Sequence, residues 1–590
     1  MFCPGTFEAS SLFPRPEKVV KHQDESREVG VVLREPWQAR VGRPLNYHLA
    51  LALALLGERI RPLSPLQSAY KYSWHRRHAQ LLPTTRPTPG MPNMRFSMAV
   101  AVLLPGTAIL AAQSEPSGSP TWSNVPPADE FLRLTGGTVA LLGDRVYYDG
   151  GLISQRGFET YLTTRPMNAT LSIDLSRSWT TESVVINETP KSDGIGSWSY
   201  QHSWSDEEDG AFYTWGDGAM YIPDIETPPP TLWKFTAQGT NGSGTWSEVD
   251  IASEGDGIQS HTLDRRNGVT VSTPGVGFVF GGFSILDGSS NMSTGYSSFD
   301  YAAREWREHS DQEDSFSETG TMSTGAAVFV PVFGSDGLVF VLGGAEWLGQ
   351  GVGHGNIDFE RVRFLDPVSK RWFSQDTTGD IPAPRARHCA VGVSGADGTY
   401  DIFIYGGRTE NSGEPLTETS EIYVLSLPGF RWTRLYGDHD GEGRYDARCA
   451  VVGKRQLLSW GGTTLALDYS DDHGLAEGTR SDSNANGLAV FDMSAGKWKT
   501  SYDAGAAAYE AHESVSAFHT REGLDKIEWS SEDVRALFAS DNIEPQAPGT
   551  GGTGDEEAGA GDSNGSNALV GAAAGGFVGA LVAVGVAAVL

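Results

Sequence analysis

Short apolar runs, each closed by glycine, recur along this chain from about residue 145 to residue 500. Within residues 388–436 the runs HCAVGVSG and YDIFIYGG are rich in Val, Ile, Phe and Tyr, and a turn carrying Gly395 and Gly398 joins them. Such a pair reads as a β-hairpin. A polar loop (RTENSGEPLTETS) follows, then EIYVLSL, a turn at Pro428-Gly429, and FRWTRLY. The unit is four antiparallel strands. Its inner members are apolar at nearly every position, as strands covered on both faces must be.

The same grammar repeats. Glycine pairs close a run at Gly150-Gly151, Gly281-Gly282, Gly343-Gly344, Gly406-Gly407 and Gly461-Gly462, with Gly216 of WGDG as a reduced version. Tryptophans follow at Trp179, Trp246, Trp306, Trp372, Trp432 and Trp498, spaced 67, 60, 66, 60 and 66 apart. A strand-built repeat of this period implies an array of blades. Glycine suits the narrow end of a blade, where another backbone comes close. Each tryptophan on an outer strand reads as an apolar plug between neighbours, burying on the order of 200 Å². The fold class is all-β, a six-bladed β-propeller over residues 120–540. The segment PTWSNV around Trp122 supplies a seven-bladed alternative, in which it pairs near the C-terminal segment. Ser530-Ser531-Glu532-Asp533 predicts a capped short helix with Val534, Leu537 and Phe538 on one face.

Glycine pairs with a downstream tryptophan resemble the kelch repeat. So do the blade starts IPAPRARHCAV and, less faithfully, GRYDARCAV. The run VLSLPGFRW, followed by LLSWGG, is similar to kelch proteins of filamentous fungi. That resemblance implies a secreted propeller followed by one membrane-spanning segment.

The two ends fit that picture. Residues 94–112 have the layout of a secretory signal peptide, with one Arg, an apolar stretch and small residues before the end. Residues 1–93 then read as a disordered extension produced by a wrongly extended gene model. They hold 13 Lys+Arg against 7 Asp+Glu, whereas the remainder holds 31 (44 − 13) against 67 (74 − 7), a net charge of −36. Residues 541–567 form a Gly-rich acidic stalk. Residues 568–590 are uncharged and long enough to span a bilayer, as a transmembrane helix or as a GPI signal. The propeller is thus expected outside the cell, anchored to the membrane. Sequons at Asn168, Asn187, Asn241, Asn291 and Asn564 agree with exposure to the secretory pathway.

Charge excludes one class of partner: a net of −36 repels nucleic acid. Cys389 and Cys449 begin successive inner strands and are candidates for a disulfide; two buried, small apolar side chains are the alternative. Arg385, Arg387, Arg444 and Arg448 flank them and could bind carboxylates or sulfated sugars at a central opening. The competing reading is favoured, because PxxR belongs to the repeat: they pair with Asp or Glu and hold blades in register. His202 with Asp206 to Asp209, Asp471-Asp472-His473, and the partial calcium loop Asp482-x-Asn484-x-Asn486 read as solvated loops. No catalytic residue, metal or cofactor is assigned.

The long loops 283–295, 346–358, 408–420 and 463–487 are where a propeller presents function. The expectation is a non-enzymatic surface protein that binds an unknown protein or a glycan or cell-wall polymer. One alternative is a carbohydrate oxidase resembling galactose oxidase, disfavoured because, with Cys3 in the set-aside extension, neither Cys389 nor Cys449 sits among Tyr and His. The other is a membrane-tethered scaffold or sensor.

Overall fold

The computed structural model describes residues 121–539, apart from 159–163, 217–230, 252–264, 310–314, 438–442, 466–480, 519–525 and a few shorter gaps. The signal peptide, stalk, hydrophobic end and Asn564 lie outside the described residues. No helix among the described residues is long and apolar enough to cross a membrane.

The chain is all-β, consistent with a kelch β-propeller. Among the described residues, six antiparallel sheets, here I to VI, each contain four or more strands, the four main ones paired in chain order. Their first strands are Thr138–Leu142, His202–Asp206, Val269–Thr273, Ala326–Val330, Cys389–Ser394 and Arg448–Val452. Sheet V adds Thr378–Gly379, parallel to Arg431–Tyr436. Sequence pattern explains the burial. Tyr400–Tyr405 and Ile422–Leu427 are buried throughout, whereas Cys389–Ser394 alternates buried and half-buried positions because it borders a central channel. The six first strands adjoin in order, and the last adjoins the first. The channel between them, about 310 Å³, is lined by residues from all six.

Backbone bonds tie each sheet to the next. The residue two positions before each first strand is left-handed: Gly136, Tyr200, Asn267, Thr324, Arg387 and Asp446 have φ between 54° and 70°. A non-glycine residue in that region costs on the order of 1 kcal/mol. The return is visible, since Tyr200 N donates to Gly136 O (2.6 Å), Thr324 N to Asn267 O (2.9 Å), Arg387 N to Thr324 O (2.7 Å) and Asp446 N to Arg387 O (2.9 Å). Between sheets VI and I, Arg448 Nε donates to Gly137 O at 2.6 Å.

The glycine pairs make a second set of ties. The N–H of Gly151, Gly282, Gly344, Gly407 and Gly462 donates to Trp198 O, Met322 O, Arg385 O, Arg444 O and Leu134 O of the following sheet. The first glycine must pass that same carbonyl. A Cβ on Gly406, already at φ 69°, would lie 2.2 Å from Arg444 O. Each tryptophan leans on the sheet before it: Trp246 Nε1 donates to Thr170 Oγ1 (3.2 Å), Trp306 packs on Trp204, Trp372 on Phe280, and Trp498 on Tyr405, while Trp432 Nε1 donates to Phe359 O (3.1 Å).

Two expectations are revised. Trp179 is not in the fourth strand of sheet I, which is Ile186–Pro190; it lies in a two-residue strand paired with Ser501–Tyr502. Its ring stacks on Tyr502, so it still bridges the last unit to the first. Trp122 forms no strand. It stacks on Phe158 at 4.3 Å beneath Arg165, because its neighbours bond Gln155 of the side sheet formed by Phe131–Thr135, Leu152–Gln155 and Thr164–Pro166.

The short helix forms at Glu532–Phe538, with Ser531 Oγ accepting from Val534 N at 3.1 Å. It buries Val534 and Phe538 against Phe333 and Phe430 in turns between first and second and between third and fourth strands of sheets IV and V.

Candidate functional site

In a four-stranded antiparallel sheet of this order, the loops between second and third strands emerge at the same end as the entry to the first strand. At that end three side hairpins rise. Phe283–Leu286 pairs with Ser289–Met292 in sheet III, Ala345–Trp347 pairs with His354–Asn356 in sheet IV, and Arg408 bridges Glu418 in sheet V. They surround a groove of about 750 Å³, a size typical of small-ligand sites. Asn267, Thr324 and Arg387 of the left-handed ring form its floor, so it opens beside the mouth of the channel.

Adjacent hairpins brace one another. Ser412 Oγ accepts from His354 N (2.7 Å), Asn411 Oδ1 from Asn356 N (2.8 Å), and Asn356 Oδ1 from Glu410 N (2.6 Å). Trp347 stands on the rim, its ring edge-on to His354 with centroids 5.0 Å apart and 36% of its surface exposed. Leu416 faces the same groove and is 39% exposed.

Charges in the floor are matched internally. Arg387 pairs with Glu410 and, at 3.0 Å, with Asp446. Arg408 reaches Glu410 at 3.2 Å, and Thr324 Oγ1 donates to Glu410 Oε2 at 3.2 Å. Tyr200 OH donates to Asp446 Oδ2 at 3.1 Å. Burial pushes the Glu410 carboxyl up, but the Arg387 and Arg408 guanidiniums outweigh it and hold the group below its ordinary range. Arg387 is held firmly protonated, since Asp446 and Glu410 overcome its own burial. Two cations face two anions here, which leaves no net charge to recruit an ion.

The four arginines marked in the sequence divide between two tasks. Arg385 pairs with Glu421 (3.0 Å), and its Nη1 donates to Gly406 O (3.4 Å). Arg444 pairs with Asp482, and its Nη1 donates to Gly461 O (2.9 Å). Both are buried and clamp their own glycine pair; Arg265 does the same for Gly281, with Glu308 as its carboxylate. Arg387 and Arg448 border the channel. Asp482, read as part of a calcium-loop fragment, is taken by Arg444, and Asn486 donates to Thr181 O at 2.8 Å.

Cys389 and Cys449 are joined in a disulfide, with Cα atoms 5.8 Å apart. They are not equivalent positions: Cys389 lies two residues beyond left-handed Arg387, and Cys449 three beyond Asp446. The offset has a physical reason. Equivalent residues in successive sheets point the same way round the ring, so a bridge needs an odd displacement along one strand to turn the second side chain back. Asn168, Asn241 and Asn291 are exposed and Asn187 half-buried; Asn291 lines the groove.

The sequence reading identified three of the loops that build the groove and, among its lining residues, Arg387 and Asn291, but not the others. Trp347, Asn267 and Glu410 carry no motif. Among the described residues no group of three or more His, Cys, Asp or Glu is placed to hold a metal ion.

No family model matches the chain. A kelch repeat-containing protein of the fungus Arthroderma benhamiae is 23% identical over 430 residues, covering 66% of this chain and 59% of that protein. The relative supports a kelch-repeat protein. This chain spans about three fifths of its length. Among solved structures, that of YjhT aligns with a TM-score of 0.42 and 15% identity, covering 65% of this chain and 100% of that one, a likeness too slight to build on. In the repeated units of this chain, the glycine pairs and their arginines are bound up in joining the sheets. The groove is built from what lies between them.

Proposed function

We propose that this chain is a six-bladed kelch propeller acting outside the cell as a membrane-anchored, non-enzymatic binding module, with the groove over sheets III to V holding a protein or glycan ligand. One observation carries the reading: the long loops of sheets III, IV and V converge on one braced groove with bare apolar side chains. Function on a propeller tends to sit on such loops. The six adjoining first strands support the blade count, and the sequons and terminal segments support the location.

The oxidase alternative needs a free cysteine to crosslink a tyrosine beside copper. Cys389 and Cys449 are bonded to each other, which weighs against it.

A photocrosslinking residue placed at Gln350, compared with one at Arg535, tests the site. Adducts on intact cells are expected from Gln350 only. Equal labelling from both positions, or none, would refute the groove as the binding surface. Mapping the mature N-terminus tests the location, with a start near Gln113 expected.

A further inference from the structure

With the groove as the binding surface, on which the inference rests, its chemistry narrows the ligand. The ionic groups are already paired with one another, so an anionic or cationic ligand would have to break Arg387–Glu410, Arg387–Asp446 or Arg408–Glu410 to be held by charge. Separating one member of such a part-buried pair leaves the other uncompensated, at a cost that commonly exceeds the new contact. The unused polar groups are neutral. Asn267, Ser323 and Gln350 line the groove, and no side-chain hydrogen bond of theirs occurs among the described residues. Amides and hydroxyls of this kind both donate and accept, matching ligand hydroxyls that do the same. Beside them Trp347 offers an indole held edge-on by His354 and open to solvent. A fixed aromatic face provides apolar area at little entropic cost. An aromatic platform, neutral donors and acceptors, and a charge-balanced floor together describe a surface for a polyhydroxylated, uncharged ring.

We infer that the groove binds a neutral oligosaccharide, with Trp347 stacked on a sugar ring and Asn267, Ser323 and Gln350 bonding its hydroxyls. The chamber of about 750 Å³ admits a short stretch of such a chain.

The test uses the full-length protein and calorimetry against laminarihexaose, chitohexaose and mannohexaose, with a heparin hexasaccharide and an oligogalacturonate as charged comparators. Binding of at least one neutral hexaose is expected. Trp347→Ala should weaken it about tenfold or more, Trp347→Phe should restore most of the loss, and Gln350→Ala should weaken it less. A thermal melt of each variant excludes unfolding as the cause. Preference for the charged comparators, neutral binding indifferent to Trp347, or no saccharide binding would each overturn the inference. A protein crosslinked at Gln350 with no saccharide bound would preserve the groove as a binding surface while overturning its assignment to glycans.

Discussion

At one end of the ring, the turns carrying Phe333 and Phe430 are covered by the C-terminal segment, which buries Val534 and Phe538 and brings Trp529 against them. At the other end Trp347, Leu348, Val352 and Leu416 stand between 36% and 60% exposed. The same chain thus uses a helix to cover Phe333 and Phe430 at one end, where Val332 and Val368 stay exposed, and leaves Trp347, Leu348, Val352 and Leu416 bare at the other. Isolated exposed apolar residues are common, whereas a cluster of them around a braced groove supports the proposed binding surface. The covered end serves stability. The open end is free to serve recognition.

That contrast can be broken from the covered side first. Phe538 is 2% exposed and touches Phe333, Phe430 and Phe364. Phe538→Ala should cost about 3–5 kcal/mol in urea unfolding and leave groove binding within about twofold. A comparable loss of binding would show that the two ends are not separable.

Replacing both cysteines by alanine comes next. The bridge closes a loop of 60 residues, and chain-entropy reasoning gives about 4 kcal/mol lost in oxidising conditions. Reduction of the wild-type protein should reproduce the effect; an unchanged midpoint would mean that the sulfurs are unbridged in solution.

His388 makes a contribution that depends on pH and is confined to the acid range. Burial, then the Arg385 charge, lower its pKa to about 3, and neither ring nitrogen has a hydrogen-bond partner among the described residues. It is neutral in the fold, while the unfolded chain takes up its proton near pH 6.5. Between those values the unfolded state binds more protons, so this contribution is complete above about pH 6.5 and shrinks as pH falls, by up to about 1.4 kcal/mol per unit. Acid unfolding of His388→Leu should therefore be shallower between about pH 6.5 and 3. An identical slope would mean that the ring titrates normally.

Smallest of all, Trp347→Ala should shift the unfolding midpoint by no more than about 0.5 kcal/mol, because the ring is exposed. A large shift would make Trp347 a structural residue and dissolve the distinction between the two ends.

Much of the covered architecture was legible in the chain. Strand runs, glycine pairs, the capped helix at Ser531 and the carboxylate pairing of Arg385 and Arg444 come from residue types tied to one physical job. The ring of left-handed residues was not. Its six members are Gly, Tyr, Asn, Thr, Arg and Asp, and only Gly136, Asn267 and Asp446 are types that favour that conformation. The geometry is enforced by bonds between sheets, which a linear reading does not contain. The odd offset of the cysteines was hidden for the same reason, since both begin an inner strand and only the ring shows which way each points. At the open end the loops 283–295, 346–358 and 408–420 were legible as loops. Their convergence was not, because it depends on which sheets are neighbours. Trp347 resembles any other tryptophan until its exposure is seen.

The seam between the last sheet and the first has a consequence in time. Gly462 bonds Leu134, and Arg133 donates to Thr463 at 2.8 Å across 330 residues of chain. During synthesis the first sheet emerges long before its partner exists. At typical elongation rates it waits on the order of half a minute with an unfinished edge. Whatever handles the nascent chain must shield that edge until the final sheet arrives, which makes the order of birth, as much as the final contacts, part of how this ring is made.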